Sequence, residues 1–398
     1  MSFDTVDLLT GKVFQVTWDL GRRCNYDCSY CPVTRHNNFS PHASLDSLKK
    51  NAEFMFEYIS AYMEYRTFKV AAITFTGGEP TVNPHFMEFV KWLKKEYQER
   101  YKHKWSARFS VTSNGAMSEK NASAIADNMN HITVSYHTEA DDKLKSQAKK
   151  RIVQFNEEAK ARSEFNLSIN VMFHAERFDE CKDLCTWLDE KGIFYVPRVI
   201  GEEADSPASF AHKYNQEQID YMKNFWNKKN ANLNKDVEEA NQLSAVGKKT
   251  SEKKKLGMSI GRPCCGSREM CLSKGNESRK STFVDFREFK GWHCSVNWFF
   301  LHIEQETDKV FHHQTCQAKF GGERGYIGRM GRGGAEIMLK KLREQLTTGT
   351  MPTIICPKHT CGCGLCAPKS KYKDKYFSTI DSHIDKRVFA NTGDADAL

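Results

Sequence analysis

Residues 13–33 read VFQVTWDLGRRCNYDCSYCPV. The stretch opens as a short β-rich run at 13–19 and passes straight into a loop with cysteines at 24, 28 and 31. The chain then repeats the first half of that theme. Further β-rich runs at 70–76, 107–112, 131–137, 166–173 and 193–200 are separated by stretches with helical spacing of apolar residues at 45–68, 84–103, 118–128, 143–162 and 177–191. Pro84 suits a first helical turn, and Ser118 suits a helix cap. Six strands alternating with helices predict an α/β fold with a parallel sheet and right-handed crossovers, either doubly wound or an open barrel. In both architectures chemistry gathers at the carboxyl ends of the strands, where the cysteine loop lies.

The chain has 398 residues, of which 39% are apolar and 27% charged. That is room for two to three domains with sizeable cores, and it excludes collagen-like, low-complexity and wholly disordered classes. No apolar run is long enough to span a membrane, and the first residues carry no export signal, so a soluble, cytoplasmic protein is expected. The net charge of +9 permits an anionic partner but lacks the concentration that marks a nucleic-acid binder. Fourteen cysteines in an unexported chain stay reduced, so tight clusters of them point to metal rather than to disulfides.

The strand–helix alternation sets a first domain at 10–205. It breaks at a Pro-containing, acidic stretch, and a polar helical region at 216–245 runs into KKTSEKKK at 248–255, which makes 206–260 a Lys-rich linker region. Next comes a small cysteine-rich domain at 261–368, with strands expected at 283–289 and 296–304 and a Gly-rich loop at 321–334, and then a tail at 369–398 with a basic start.

Iron–sulfur clusters are usually held by four cysteine thiolates, and the C-x3-C-x2-C loop offers Cys24, Cys28 and Cys31. Three ligands on a 4Fe-4S cube would leave one iron open to a substrate or cofactor. CNYDCSYC resembles the signature of the radical S-adenosylmethionine (SAM) superfamily, with Tyr30 as the aromatic residue before the third cysteine. The second strand ends in FTGGEP, so that Gly77, Gly78, Glu79 and Pro80 resemble that family's SAM-contacting turn in sequence and in position. The resemblance covers 13–200 and implies a partial (βα)6 TIM-like barrel. It further implies that SAM's methionine amino and carboxylate groups chelate the open iron. A low-potential donor of the flavodoxin or ferredoxin type would supply the electron that releases a 5′-deoxyadenosyl radical. Gly77 and Gly78, lacking Cβ, would let the backbone approach the ligand, and Glu79 would accept from its ammonium. Ser113 and Asn114 would reach the ribose hydroxyls, and Ser135 and His137 would face the same mouth by strand alternation. PRVIGE at 197–202 echoes the family's later glycine motif only loosely, which leaves Arg198 without a settled role.

Blander readings stand beside these. The loop could hold zinc with His36 as fourth ligand. The Ser113–Gly115 stretch could be a plain turn, and His137 a satisfied buried histidine. Cys181 and Cys185, four apart on a helix, read as core.

Cys294, Cys316, Cys356, Cys361 and Cys363, with Cys366 in reserve, exceed what one tetrahedral site needs. Their pattern is similar to the auxiliary-cluster domains called SPASM and twitch, which implies a second 4Fe-4S cluster on four of them, with zinc as the alternative. The Gly-rich loop is read as wrapping that cluster, while Cys264, Cys265 and Cys271 stay unassigned. Three function classes fit this sequence. The first is radical hydrogen abstraction from a peptide, protein or small metabolite, with no membrane involved. The second is nucleic-acid or nucleoside base modification by the same chemistry, and the third a non-enzymatic iron–sulfur or zinc protein.

Overall fold

A strand with one buried face alternates buried and more exposed side chains, and the strands at 70–76 and 131–137 do so along their whole length. The computed structural model describes residues 5–6, 13–31, 36–200, 214–222, 224, 290–313, 319–320, 323–324, 326–356, 369–372 and 384. In chain order the elements begin β1 (Thr5–Val6), β2 (Phe14–Asp19), α1 (Leu45–Met63), β3 (Val70–Thr76), α2 (Phe86–Arg100), β4 (Ser106–Ser113) and α3 (Glu119–Asn128). They continue with β5 (His131–His137), α4 (Asp142–Ala161), β6 (Asn166–Phe173), α5 (Phe178–Glu190), β7 (Tyr195–Val199), β8 (His293–Cys294) and the short α6 (Val296–Phe299). The last are β9 (Phe300–Glu304), β10 (Lys309–Phe311), β11 (Lys319–Phe320), β12 (Glu323–Arg324), β13 (Tyr326–Arg329), α7 (Gly334–Thr348), β14 (Ile354–Ile355) and β15 (Lys369–Ser370).

The main sheet has nine strands in the order β13-β10-β9-β2-β3-β4-β5-β6-β7. From β2 to β7 every neighbouring pair is parallel, and β9 joins β2 on its other side, also in parallel. Among the described residues nothing pairs β7 with β13, so the sheet is the open, partial TIM-like barrel, extended at one edge by the antiparallel β10 and β13.

Trp18, Phe75 and Phe89 show how the outer face is made: Trp18 lies 5.6 Å from the Phe75 ring and 5.5 Å from the Phe89 ring of α2, all three fully buried. The opposite, concave face is polar. Thr74 meets Ser110 at 2.8 Å, Thr133 meets Ser168 at 3.1 Å, and Arg198 donates to Asn170 at 3.0 Å. A parallel strand covered on both faces by apolar packing would read as a continuous hydrophobic run. Here one face packs against helices and the other lines a hydrophilic lumen. Ser44, Ser118 and Asp141 cap α1, α3 and α4 through their side-chain oxygens, Ser118 as its sequence position suggests.

Several boundaries differ from the sequence expectation. α1 ends at Met63, and α2 starts two residues past Pro84, because the Asn83 side chain takes the His85 amide at 2.9 Å and holds a turn there. The run expected to be one strand at 296–304 is a single helical turn followed by β9. Its carbonyls at Asn297 and Trp298 are taken by Tyr62 (2.7 Å) and Arg66 (2.7 Å) at the end of α1, so no strand neighbour can use them. β9, β10 and β13, from the stretch expected to form the second domain, belong to the main sheet. The β8–β14 pair instead lies in a separate four-stranded sheet, β1-β15-β8-β14. The expected strand at 283–289, most of the linker region and tail, and Cys264, Cys265, Cys271, Cys316, Cys361, Cys363 and Cys366 lie outside the described residues. Among those described, no helix is long and apolar enough to cross a membrane.

Candidate active site

The sheet's hydrogen bonding runs on past the strand ends and joins the cysteine loop to the GGEP turn. Leu20 N donates to Thr76 O (2.8 Å), Gly78 N to Gly21 O (2.8 Å) and Glu79 N to Arg23 O (2.9 Å). Gly77 has φ +135°, and a Cβ on it would sit 2.5 Å from Gly21 O; a Cβ on Gly78 would sit 2.4 Å from both Arg22 O and Arg23 O. The two glycines therefore have a reason to be glycine beyond ligand approach: the turn lies flat on the backbone that leads into Cys24.

Glu79 locks that arrangement. Its carboxylate is buried, with Oε1 accepting from Thr81 N (3.0 Å), Thr81 Oγ1 (2.6 Å) and Ser113 Oγ (2.9 Å), and Oε2 from Asn114 N (2.7 Å). Burial raises its pKa, and the same four bonds oppose the rise. Through these four bonds the side chain braces the turn against the end of β4. Pro80 opens the short 3-10 turn that Glu79 caps. Ser113 and Asn114, expected at the ribose, are both buried; Asn114 Nδ2 donates to Asn25 Oδ1 (2.7 Å) and lies 4.0 Å from Cys24 Sγ. The stretch also makes a turn, in which Asn114 Oδ1 accepts from Ala116 N (2.9 Å) and Gly115 has φ +80°.

Cys24, Cys28 and Cys31 share a small apolar cluster with Tyr26, Tyr30, Ala116, Ala140 and Leu144, apart from the main core. Tyr30 stacks on His137 with ring centroids 5.9 Å apart, and its hydroxyl is hydrogen-bonded to His137 Nδ1, which lies 3.6 Å from Cys28 Sγ. Glu139, two residues beyond β5, accepts from Ser29 N (2.9 Å) and Ser29 Oγ (2.7 Å), and His174 reaches it from beyond β6 at 3.2 Å. The sequence motifs do not single out Glu139 or His174; the signal that could have found them is their place just past strand ends that carry other site residues. Ser135 sits deeper in the lumen, linked to Asn170 (3.3 Å) and through it to Arg198, which gives Arg198 a place in the concave face.

The donor set fits an iron–sulfur cluster. Burial pushes the Cys24 thiol up to about 11 and Cys28 up to about 12, and the neighbouring cysteines add to each shift, so three thiolates gathered here need a positive centre to hold them. His36 Nε2, on the residue that a zinc reading takes as fourth ligand, is 3.2 Å from Asp27 Oδ1. His137 is held near 4 by burial and is neutral at pH 7. Cys181 and Cys185 are buried in the main core, as their helical spacing suggests.

Of the C-terminal cysteines, Cys294 and Cys356 are described, and both are buried. Ile354 pairs with Cys294 across β8–β14, and Cys356 N donates to Trp292 O (2.9 Å), which places the two cysteines diagonally on one face of the small sheet. β15 pairs with β8 on its other side, Lys369 opposite Cys294. β14 and β15 thus flank β8 on its two sides.

Residues 18–188 match the model of the Radical SAM superfamily. No curated protein matches the chain. Among solved structures, native anSMEcpe with bound AdoMet is 12% identical with a TM-score of 0.50, covering 83% of this chain and 81% of its own. The same enzyme with bound AdoMet and Cp18Cys peptide is 12% identical with a TM-score of 0.51, covering 93% and 96%, and its complex with Kp18Cys peptide is 13% identical with the same TM-score. At such identity these likenesses speak for the fold alone. With the cysteine loop joined through residues 21–23 to the GGEP turn at the carboxyl ends of parallel strands, and the family model spanning those strands, residues 18–188 form a Radical SAM superfamily domain.

Proposed function

We propose that this enzyme cleaves SAM reductively and uses the resulting radical to abstract hydrogen from a peptide or protein, with a second 4Fe-4S cluster assisting from the C-terminal cysteines. When bound, the first cluster and SAM supply the radical chemistry. The protein does the rest. Cys24, Cys28 and Cys31 would hold three irons, and the turn at Gly77 and Gly78 fixes the loop that carries them. Glu79 keeps that turn in register with β4. Tyr30 and His137 wall the loop on its β5 side and reduce water around it. The observation that carries this reading is the backbone ladder from Leu20 to Glu79, which presents the three thiols at the mouth of a polar lumen. That lumen, with Thr133, Ser168, Asn170 and Arg198 on its wall, offers hydrogen-bonding groups of the kind that peptide amides pair with. The peptide complexes of the structural neighbour support this substrate class by analogy.

The second cluster is read from Cys294 and Cys356 sharing one face of the small sheet, with Cys361, Cys363 and Cys366, close to Cys356 in sequence, as candidates for its other ligands. Anaerobic reconstitution with iron and sulfide tests both sites. Wild type should hold about eight irons, falling to about four in Cys24/Cys28/Cys31→Ala and to about four in Cys294/Cys356→Ala. 5′-Deoxyadenosine should form with dithionite and SAM in the wild type and not in the first variant. Zinc without sulfide in the reconstituted wild type would end the reading.

A further inference from the structure

The outer side of the barrel directly behind the cysteine loop carries a groove of about 520 Å³ between α4 and α5. Tyr136, Lys145, Ser146, Lys149, Lys150 and Trp187 are among its walls. Its charge is unevenly spent. Lys145 is paired twice, with Asp142 (3.0 Å) and with Glu180 across the groove (2.9 Å). Lys149 and Lys150 stand exposed on the next turn of α4 without a carboxylate partner among the described residues. Trp187 is half-buried, and two ammonium groups lie over its ring, Lys149 at 5.6 Å and Lys191 at 5.5 Å. The groove is thus a cationic surface with an aromatic centre.

Its position is what gives it meaning. Leu144, the residue before Lys145, packs against the cluster of Cys24, Cys28 and Cys31, as does Ala140. Tyr136, next to His137 at the end of β5, lines the groove from the sheet side. Five to six residues of α4, roughly 8 Å along the helix axis, separate Leu144 at the cysteine loop from Lys149 and Lys150 at the solvent. The concave face, by contrast, opens to the lumen. A partner that must pass an electron to the cluster, and must not occupy the substrate's side, fits this outer surface.

We infer that the α4–α5 groove is the docking surface for an acidic, low-potential one-electron carrier protein; the inference rests on the radical SAM reading and extends it. The carrier is oxidised by one electron and the centre held by Cys24, Cys28 and Cys31 is reduced by one, with no proton asked of the lysines. Small, weakly apolar, charge-steered surfaces are typical of transient electron-transfer encounters. A central Trp among lysines gives such an encounter an anchor.

The test uses the full chain, reconstituted anaerobically, and tracks 5′-deoxyadenosine formation from SAM with two reductants: dithionite, and a flavodoxin kept reduced by its NADPH-dependent reductase. In Lys149→Glu/Lys150→Glu the flavodoxin-driven rate at subsaturating flavodoxin should fall at least fivefold and lose most of its salt dependence. The dithionite-driven rate should stay within twofold of wild type. The charge-matched pair Lys95→Glu/Lys102→Glu, on and just after α2, should change neither. Calorimetric binding of oxidised flavodoxin should weaken in the same Lys149/Lys150 variant. An unchanged flavodoxin rate and affinity overturns the inference, as does an equal fall with both reductants. A variant that keeps its flavodoxin kinetics while losing affinity for a polyglutamate peptide assigns the groove to an acidic peptide and also overturns it. Absence of dithionite-driven cleavage in the wild type would instead refute the radical SAM reading, and the calorimetric comparison would still decide the groove.

Discussion

Gly78→Ala is the most telling single methyl group in this protein. Its Cβ would lie 2.4 Å from Arg22 O and 2.4 Å from Arg23 O, and both are backbone atoms that cannot rotate away. Ordinary contact needs about 3.5 Å, so the GGEP turn must lift from the 21–23 backbone by about 1 Å. That movement breaks or strains the bonds from Gly78 N to Gly21 O and from Glu79 N to Arg23 O. At about 1 kcal/mol net for each, plus residual crowding, the expected loss is roughly 2–4 kcal/mol of local stability. The larger effect should be functional. A displacement of about 1 Å beside a reacting centre can cost about 100-fold in rate, so dithionite-driven SAM cleavage should fall by about that factor while cysteine-bound iron is largely retained. Gly192→Ala is the control. Gly192 also has a positive φ, +63°, but its Cβ would meet nothing within 4 Å, so only a conformational cost of about 1–2 kcal/mol is expected, with normal cleavage by the folded enzyme. Assays of iron content, melting temperature and 5′-deoxyadenosine rate on both variants decide the matter. If Gly78→Ala cleaves SAM within threefold of wild type, the close packing of turn on loop is not what holds the site.

The same structure sets three further outcomes. Glu79→Gln turns an acceptor of four hydrogen bonds into a group that must present an amide donor to at least one donor, so thermal stability should drop by about 1–3 kcal/mol; an unchanged melting curve would show that Glu79 is not the brace described. His302 is buried on the concave face of β9 with its Nε2 at 3.8 Å from Glu304, whose carboxyl it holds below the usual carboxylate range, so His302→Leu should raise the Glu304 pKa toward the ordinary value; an unchanged Glu304 titration by NMR would refute this. Burial, aided by the charge of Lys341, holds His312 at about 3, below its unfolded value near 6.5, so unfolding takes up a proton once the pH falls below that value. Stability should therefore decline as pH drops from about 6.5 toward 5, by up to roughly 1.4 kcal/mol per pH unit from this group, and His312→Gln should flatten the slope by about one proton; an identical slope in both proteins would disprove the assignment.

The parallel core was legible because its information is local. Each of the strands from β2 to β7 is a short β-rich run separated from the next by a helix-length segment, and DLGRRC and TGGEP mark where two of them stop. Cys24, Cys28 and Cys31 were legible for the same reason, since spacing within eight residues constrains them to one loop. The distribution of roles around them was not. Glu79 reads as a free acceptor until Thr81, Ser113 and Asn114 converge on it, and two of those three come from a different strand. Gly77 and Gly78 read as room for a ligand, whereas the contacts that forbid a Cβ come from residues more than fifty positions away. The run at 296–304 reads as one strand by composition, and it bends only because Tyr62 and Arg66, far earlier in the chain, claim its first carbonyls. β9 then enters the main sheet beside β2, Thr17 opposite His302, so a strand from the cysteine-rich half stiffens the strand that delivers the cysteine loop. The two halves of the chain are thus coupled through backbone hydrogen bonds at the base of the site. Substitutions that weaken the β2–β9 pairing should lower iron retention at Cys24, Cys28 and Cys31 even though none of them touches a thiol.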